Sequence, residues 1–559
     1  MTTIGNRFPV SVFPRAVAGI SFCRMMMERH QKEKKMSLSL PNASSATLTR
    51  NRVGRAPYSG ICVTCIDGCL GPCEVGRSAL RGREILYPQP FAKITAGSEK
   101  EYPIDFSHFN IHGSCVGAVG IEADSDKAVF GAVDVSTEVG AENKIQMDMP
   151  FFTGALGSTE IARVHWESMA IGAALCGTNV VIGENVCGMD PDSEIKNGKV
   201  AESPEMARRV RIYKDWYTGK GNIIVQMNVE DTRLGVAEYV IDKLGVEAIE
   251  LKWGQGAKDI GGEVKLPSLE RAKQLKGRGY IVHPDPDDEA VQNDFKSGGF
   301  KEFERHSRLG MVEEDSFYKE VERLRSLGAR YVTLKTGAYR PRDLALAVKL
   351  ASNARIDLLT VDGAGGGTGM SPWRMMNEWG VPTVHIECLL YRCLKKLDEK
   401  GAFIPSCAMA GGIALEDQIF KALALGAPYI KAVCMGRGTM TAAMVGNTIG
   451  RMVASGKVMP TDLSKYGESI DQVFAGSASL KKRLGEDFDR VPAGAIGMYN
   501  YYDRLSTGLK QLMAGARKFA LEYISRDDIF ALTREAADIS GISYVMDADK
   551  EEMDKILEG

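Results

Sequence analysis

Four cysteines open the chemistry of this chain. Cys62, Cys65, Cys69 and Cys73 fall within twelve residues as C-x2-C-x3-C-x3-C, amid Gly60, Gly68, Gly71, Pro72 and Gly76. An iron–sulfur cluster needs four thiolates converging on one small cage, and short Gly/Pro spacers let a chain wrap it. The spacing points first to a [4Fe–4S] cluster. Zinc held by four cysteines is the rival, although zinc ribbons set two CxxC pairs well apart. Neither metal is the third reading. Cys73 precedes Glu74, where ferredoxin-type runs place a proline. Cys115 reads as a small buried residue, with a fifth ligand or a gating thiol as the alternatives. Cys176, Cys187, Cys388, Cys393 and Cys407 stand alone in apolar contexts and read as core.

A second constellation lies further on. Met409-Ala-Gly-Gly-Ile413 and Cys434-Met-Gly-Arg-Gly438 each follow a short apolar run and precede a helical pattern. Glycines expose backbone N–H groups, a helix N-terminus adds positive potential, and Arg437 can pair with a phosphate. Asp362-Gly-Ala-Gly-Gly-Gly-Thr-Gly holds five glycines in eight residues, between Leu358–Val361 and Pro372. Such a stretch is neither helix nor strand, and suits a loop pressed against a planar ligand or a phosphate. Lys335 ends the run Tyr331–Lys335, and a lysine at a strand's end can place positive charge at a site's mouth.

The elements that must position these residues follow a regular rhythm. Short apolar runs occur at Pro150–Thr153, Asn179–Ile182, Asn222–Asn228, Ala248–Lys252, Tyr280–His283, Tyr331–Lys335, Leu358–Val361, Cys407–Ala410 and Tyr429–Val433. Amphipathic stretches such as Asp315–Leu327 and Leu415–Leu425 lie between most of them. This alternation predicts an α/β fold with a parallel sheet, best closed as a (β/α)8 TIM barrel with one strand candidate to spare. A doubly wound open sheet is the alternative. In a barrel, the two glycine loops would follow strands seven and eight, where phosphates often sit. The expected division is a disordered tail over 1–50, a cysteine-rich iron–sulfur segment over 51–150, the barrel over 151–455 and a helical extension over 456–559. The tail, with Arg7, Arg15, Arg24 and Arg29, also reads as an upstream start or a transit peptide.

Composition excludes several classes. The 559 residues are 44% hydrophobic and 25% charged, which suits an ordinary globular core. A formal net charge of −2 offers no basic field for nucleic acid. The best apolar stretch, Ile171–Ile182, falls short of the ~20 residues that span a bilayer. Twelve cysteines in 559 residues are too few for a disulfide scaffold, which favours a reducing, cytoplasmic compartment. Self-association is the default for a large barrel.

Taken together, these residues resemble the FMN-binding synthase domain of glutamate synthase. The matching stretches are Gly154-Ala-Leu-Gly-Ser158, Gly177-Thr-Asn-Val-Val-Ile-Gly-Glu-Asn185, Lys252-Trp-Gly-Gln-Gly-Ala-Lys-Asp-Ile-Gly-Gly262, Lys335, Asp362 to Pro372, and Gly411-Gly412, in the family's order. The resemblance implies a (β/α)8 barrel holding FMN. It implies that Gly154, Ala155, Leu156, Gly157 and Ser158, with Gly183 and Asn185, line the flavin ring, and that Lys335 meets its pyrimidine edge. Asp362, Gly363, Gly365, Gly366, Gly367, Gly411, Gly412, Gly436 and Arg437 would serve the ribityl chain and phosphate. Lys252, Gln255 and Lys258, with Gly261 and Gly262, would bind a 2-oxo acid. Separately from the resemblance, Glu184 is the candidate to position or protonate an imine, with a structural carboxylate as the alternative.

The chain also departs from the family pattern. The family ligates a [3Fe–4S] cluster with three cysteines beyond the last flavin loop. Here Cys434 stands at the first of these positions, and no cysteine follows it. The N-terminal cysteine group is then the expected electron entry. There is no glutaminase domain and no GxGxxG dinucleotide motif, so ammonia and electrons would come from partners, as in stand-alone synthase chains and the large subunit of N-methylglutamate synthase. His283-Pro-Asp-Pro and His306-Ser-Arg-Leu-Gly diverge from the family. The expected activity is reduction of an imine derived from a 2-oxo acid and an amine, with electrons from a ferredoxin-like donor. The alternatives are an electron-transfer or sensory flavoprotein subunit, and an amino-acid dehydrogenase running oxidatively.

Overall fold

The computed structural model describes residues 98, 100–256, 260, 263–366, 371–457 and 464–559. Cys62, Cys65, Cys69, Cys73, Lys258, Gly261, Gly262 and Gly367 lie outside the described residues, as does the 1–50 segment. The structure from 104 onward forms one unit.

Eight parallel strands close into a barrel: β1 Phe151–Leu156, β2 Val180–Ile182, β3 Ile223–Met227, β4 Ala248–Lys252, β5 Tyr331–Thr336, β6 Leu358–Asp362, β7 Ser406–Ala410 and β8 Ile430–Met435. β8 pairs back onto β1 through Val433 and Phe151, which closes the ring. The strands are almost wholly buried, as expected when helices cover the outside and side chains fill the inside. The outer helices include α1 Glu160–Leu175, α2 Pro204–Asp215, α3 Val236–Asp242, α4 Glu314–Ser326, α5 Pro341–Asn353, α6 Thr383–Asp398, α7 Glu416–Leu425 and α8 Arg437–Ala454. Their starts follow ordinary capping rules. Thr159 accepts from Ala162 N at the head of α1, and Ser203 from Met206 N before Pro204 of α2.

The interior is layered. Phe152, Val181, Ile224, Ala248, Tyr331, Leu358, Ala408 and Ala432 form an apolar plug with Val139, Ile145 and Met147. Those last three belong to the antiparallel hairpin Thr137–Val139 and Ile145–Met147, which seals the end where the strands begin. The functional end is therefore the opposite one, where the strands finish.

The spare strand candidate is resolved by the region between β4 and α4. Ile281–His283 pairs antiparallel with Phe303–His306, which also pairs with Glu263–Leu266, in a three-stranded sheet outside the barrel. Its alternation of exposed Ile281, buried Val282 and exposed His283 is that of a half-covered antiparallel strand.

Beyond the barrel, a long helix α9, Ala493–Gly515, packs on α8 and α1. A Cβ on Gly446 of α8 would sit 2.6 Å from the carbonyl oxygen of Ala493, so only glycine permits this approach. The apolar spacing of Tyr499–Ile529 predicts a helix through that whole span, but the helix stops at Gly515, where Arg517 takes a left-handed conformation (φ 60°). Ile529–Ala531 instead forms a short strand paired with Phe109–Ile111. Cys115 is exposed rather than buried, while Cys176, Cys187, Cys388 and Cys407 are buried as expected. Among the described residues, no helix is long and apolar enough to cross a membrane.

Candidate active site

A cavity of about 600 Å³ opens where the strands end, a size typical of small-molecule sites. Its wall takes in Gly154 to Ser158 after β1, Glu184 and Asn185 after β2, Lys252 and Gln255 at β4, Lys335 of β5, Asp362 and Gly366 at β6, Gly411 and Gly412 after β7, and Gly436 and Arg437 after β8. These residues, scattered over almost 300 positions of sequence, meet because each sits at the same end of a different strand. Gly183, Gly363 and Gly365 are not in the wall. Gly183 packs backbone to backbone on Gly157, and a Cβ on Gly363 would lie 2.4 Å from the Thr383 Cα. Cys434 is not beyond the last loop: it belongs to β8 and lines the cavity. Its position in a strand inside the barrel removes it from the place of the family's first cluster cysteine.

Two ion pairs organise the floor. Lys252 Nζ lies 2.6 Å from Glu184 Oε1 and donates to Gln255 Oε1 at 2.9 Å. Lys335 Nζ lies 3.1 Å from Asp362 Oδ2. The side chains of Lys335 and Asp362 are 9% and 15% exposed, so this pair works in a low-dielectric setting. Burial pulls the Lys335 ammonium down, but the charge and hydrogen bond of Asp362 outweigh it and keep the lysine charged. Burial likewise raises the Glu184 carboxyl, yet the charge and hydrogen bond of Lys252 hold it below its ordinary range. Both groups are thus ionised at neutral pH.

The glycine loops are fixed from behind. Arg209, stacked on Trp166 at 5.0 Å and bonded to Glu205, donates to the carbonyls of Leu156 and Gly157 at 3.1 and 2.9 Å. Thr383 Oγ1, at the head of α6, donates to Ala364 and Gly411 carbonyls at 3.1 and 2.7 Å, joining the β6 and β7 loops. Gly411 (φ 123°) adopts a conformation that L side chains rarely take. No side chain caps the N-terminus of α8, and its first residues face the cavity. Such a terminus is an anion site.

Asn185 is the left-handed residue (φ 66°) at the turn after β2. Its N–H donates to both oxygens of Asp231 at 3.1 and 2.9 Å, and its Oδ1 accepts from Tyr280 at 3.2 Å. Burial pushes the Asp231 carboxyl up to about 7, against the lowering effect of the Asn185 and Asn228 amides.

Two arginines were missed by sequence reasoning. Arg305 lines the cavity, stacks on the Tyr280 ring at 5.0 Å, donates to Ser307 Oγ at 2.5 Å and keeps a buried Nε without a partner. Burial lowers its pKa, countered in part by Tyr280 and Glu184. Arg308 bonds to both oxygens of Glu230 at 2.9 Å. The signal was present in the divergent segment around His306-Ser-Arg-Leu-Gly, read there only as a departure. In all, the described wall carries five cationic side chains and three carboxylates, a balance suited to anionic ligands.

The fold and mouth define a (β/α)8 barrel with a cationic, glycine-walled site at the C-terminal ends of its strands. The family described as the conserved region in glutamate synthase matches residues 93–269 and 306–450, and the chain belongs to it. An archaeal-type glutamate synthase [NADPH] of Thermotoga maritima is 26% identical over 314 residues, covering 56% of this chain and 51% of the relative. The chain therefore spans about half the length of that relative. A glutamate synthase large subunit-like protein of Rhizobium meliloti is 24% identical over 464 residues, covering 79% and 87%. Among solved structures, the flavin-binding domain of baker's yeast flavocytochrome b2 aligns over 76% of each chain at 13% identity and a TM-score of 0.42.

Proposed function

We propose that this chain is an FMN-dependent oxidoreductase of glutamate synthase type, which reduces an imine derived from a 2-oxo acid and an amine. The observation that carries this reading is the mouth itself. Two ion-paired lysines and an uncapped helix N-terminus converge there on one cavity walled by glycine backbone.

The residues present fit FMN. The left-handed Gly411 and Gly412, with the start of α8 and Arg437, offer N–H groups and charge to a phosphate. Gly154 to Ser158 line the cavity at the end of β1, where a flat ring would lie. Lys335, held charged, favours negative charge at the ring edge it would meet. FMN, when bound, supplies the hydride and accepts the electrons.

The chain's own side chains do the rest. Lys252 and Gln255, with Lys258, bind the carboxylate of the 2-oxo acid and fix its reacting carbon. Glu184 Oε1, bonded to Lys252, orients the imine nitrogen and can hold its proton. Cys62, Cys65, Cys69 and Cys73 would hold an iron–sulfur cluster, which would accept electrons from a ferredoxin-like or other partner protein. Ammonia or another amine comes from solution or a partner. The C-terminal segment 456–559 closes the barrel domain as an extension.

The test is an anaerobic absorption spectrum of the full chain with iron, zinc and FMN quantified together. Reduction by dithionite and addition of 2-oxo acids with ammonia or methylamine then follow. Flavin reoxidation dependent on both substrates, with an amino acid formed, supports the reading. Bound flavin that no oxo acid and amine reoxidise leaves an electron-transfer subunit instead, and no bound flavin refutes the reading.

A further inference from the structure

Beneath the mouth lies a carboxylate that the mechanism does not use. Glu250 is in β4, with Gln226 of β3 and Thr333 of β5 as its register partners. Side chains two residues apart share a face, so these three point into the barrel one layer below Lys252 and Lys335. Thr360 of β6 is the register partner of Lys335. Glu250 is 2% exposed, and its Oε1 accepts a 2.6 Å hydrogen bond from Gln226 Nε2.

The charges above it are already matched. Lys252 pairs with Glu184 and Lys335 with Asp362. Glu250 is a third carboxylate over two lysines and, among the described residues, has no ion-pair partner. An ionised carboxylate there would carry the desolvation penalty of a buried charge. It would also compete with Asp362 for the Lys335 ammonium and draw it away from the mouth.

The hydrogen-bonding pattern separates the two protonation states. Gln226 Oε1 is a buried acceptor without a partner, and Thr333 Oγ1 and Thr360 Oγ1 are likewise unpartnered. A carboxylate can only accept, so it leaves Gln226 Oε1 unsatisfied. A carboxylic acid can return a bond to that oxygen, completing a reciprocal acid–amide pair. Its remaining capacity, with the two threonine hydroxyls, suits internal water.

We propose that Glu250 is a positioning residue that stays un-ionised at neutral pH, closing an acid–amide pair with Gln226 and leaving the Lys335 ammonium turned toward Asp362 and the mouth. Burial sets the direction of the shift. Burial raises the Glu250 carboxyl, Glu184 adds to the rise, and the opposing pulls of Lys335, Gln226 and Lys252 do not overcome them. Cys434 of β8, also beside Lys335, is held as a neutral thiol by its burial. The inference rests on the proposed function only for the identity of the ligand that Lys335 meets.

The test is an infrared comparison of the wild-type full chain with Glu250→Gln near neutral pH. The expected difference is loss of an un-ionised carboxylic acid C=O band. Loss of ionised carboxylate bands instead would overturn the proposal. Gln226→Leu gives a second reading should Glu250→Gln fold poorly. The acid band should persist there and shift as its amide partner is lost, and no acid band in wild type or Gln226→Leu would overturn the proposal. A buried acid that makes no pair with Gln226 would show a band unmoved by Gln226→Leu. Failure of wild type to bind FMN would sink the functional reading and leave the infrared result standing.

Discussion

Replacing Asp362 by Asn isolates the value of the charge beneath the mouth. The side chains of Lys335 and Asp362 are 9% and 15% exposed, and their 3.1 Å contact is the ion pair of Lys335 among the described residues. Removing one partner of a buried pair strands the other, a loss of about 3–5 kcal/mol in well-buried cases. The residual exposure puts Asp362→Asn at the lower end, about 3 kcal/mol. The pH dependence should change as well. In the wild type the Lys335 pKa is raised, so its contribution is complete below the unfolded lysine value and is lost only as pH rises through the still higher folded value. Stability is then flat around neutrality on this account. In Asp362→Asn, burial dominates and the folded value drops below the unfolded one. The unfolded chain then binds the extra proton, and the variant should gain stability as pH rises toward the ordinary lysine range. Urea denaturation at several pH values reads both effects. The double variant Lys335→Met with Asp362→Asn removes the stranded charge and should recover at least about 1.5 kcal/mol, a coupling expected of contacting residues. A loss under about 0.5 kcal/mol, or no recovery in the double variant, would refute the argument that this pair is buried and coupled.

Three further outcomes follow from packing and burial. Gly154→Ala should destabilise the chain by about 1–3 kcal/mol, because its Cβ would lie 2.6 Å from the Cys434 sulfur, and Cys434→Ala should relieve part of that loss in thermal melts. Thr383→Val should lose about 1 kcal/mol by freeing the Gly411 carbonyl, since the Ala364 carbonyl keeps the N–H of residue 383, and should weaken binding of FMN measured by fluorescence quenching. The Asp231 carboxyl rises from 3.8 to about 7, so the folded state holds a proton the unfolded state has lost. Its contribution is present below the ordinary aspartate value and falls by about 4 kcal/mol as pH climbs to 7. That slope should flatten in Asp231→Asn, and an unchanged slope in denaturant titrations would contradict the assignment.

Much of the fold was legible because its signals are local. Apolar runs such as Leu358–Val361, bounded by glycine and followed by amphipathic stretches, mark strands buried on both faces, and all eight barrel strands fall at such runs. The ninth run, Tyr280–His283, misled in number only. A three-residue strand has the same composition in a barrel or in an antiparallel sheet, and which it joins is set by partners 20 residues away at Phe303–His306. The helix expected through Ile529 failed for a related reason. Apolar spacing continued past Gly515, but the backbone turned at Arg517, and pairing with Phe109–Ile111 took over.

The site shows a sharper division. Glycine-rich stretches announce themselves, since few other reasons gather so many glycines after strands, and Gly411, Gly412 and Gly436 stand where their spacing suggested. Arginines do not announce themselves. Arg209 is an ordinary residue of an amphipathic helix until it is seen to hold the Leu156 and Gly157 carbonyls. Arg305 sits in a strand outside the barrel, and only the return of that antiparallel sheet over the mouth brings its guanidinium to the cavity. Lys335 and Glu250 illustrate the same point from inside. Sequence places each on a strand and gives its facing by parity, but not the charge it carries. That depends on the Asp362 carboxylate standing beside one and the Gln226 amide beside the other, a distinction made by the closed barrel and by no local pattern. The electrostatics of such a site therefore follow from strand order, and a change in the pairing of β3 to β6 would alter its chemistry with every residue unchanged.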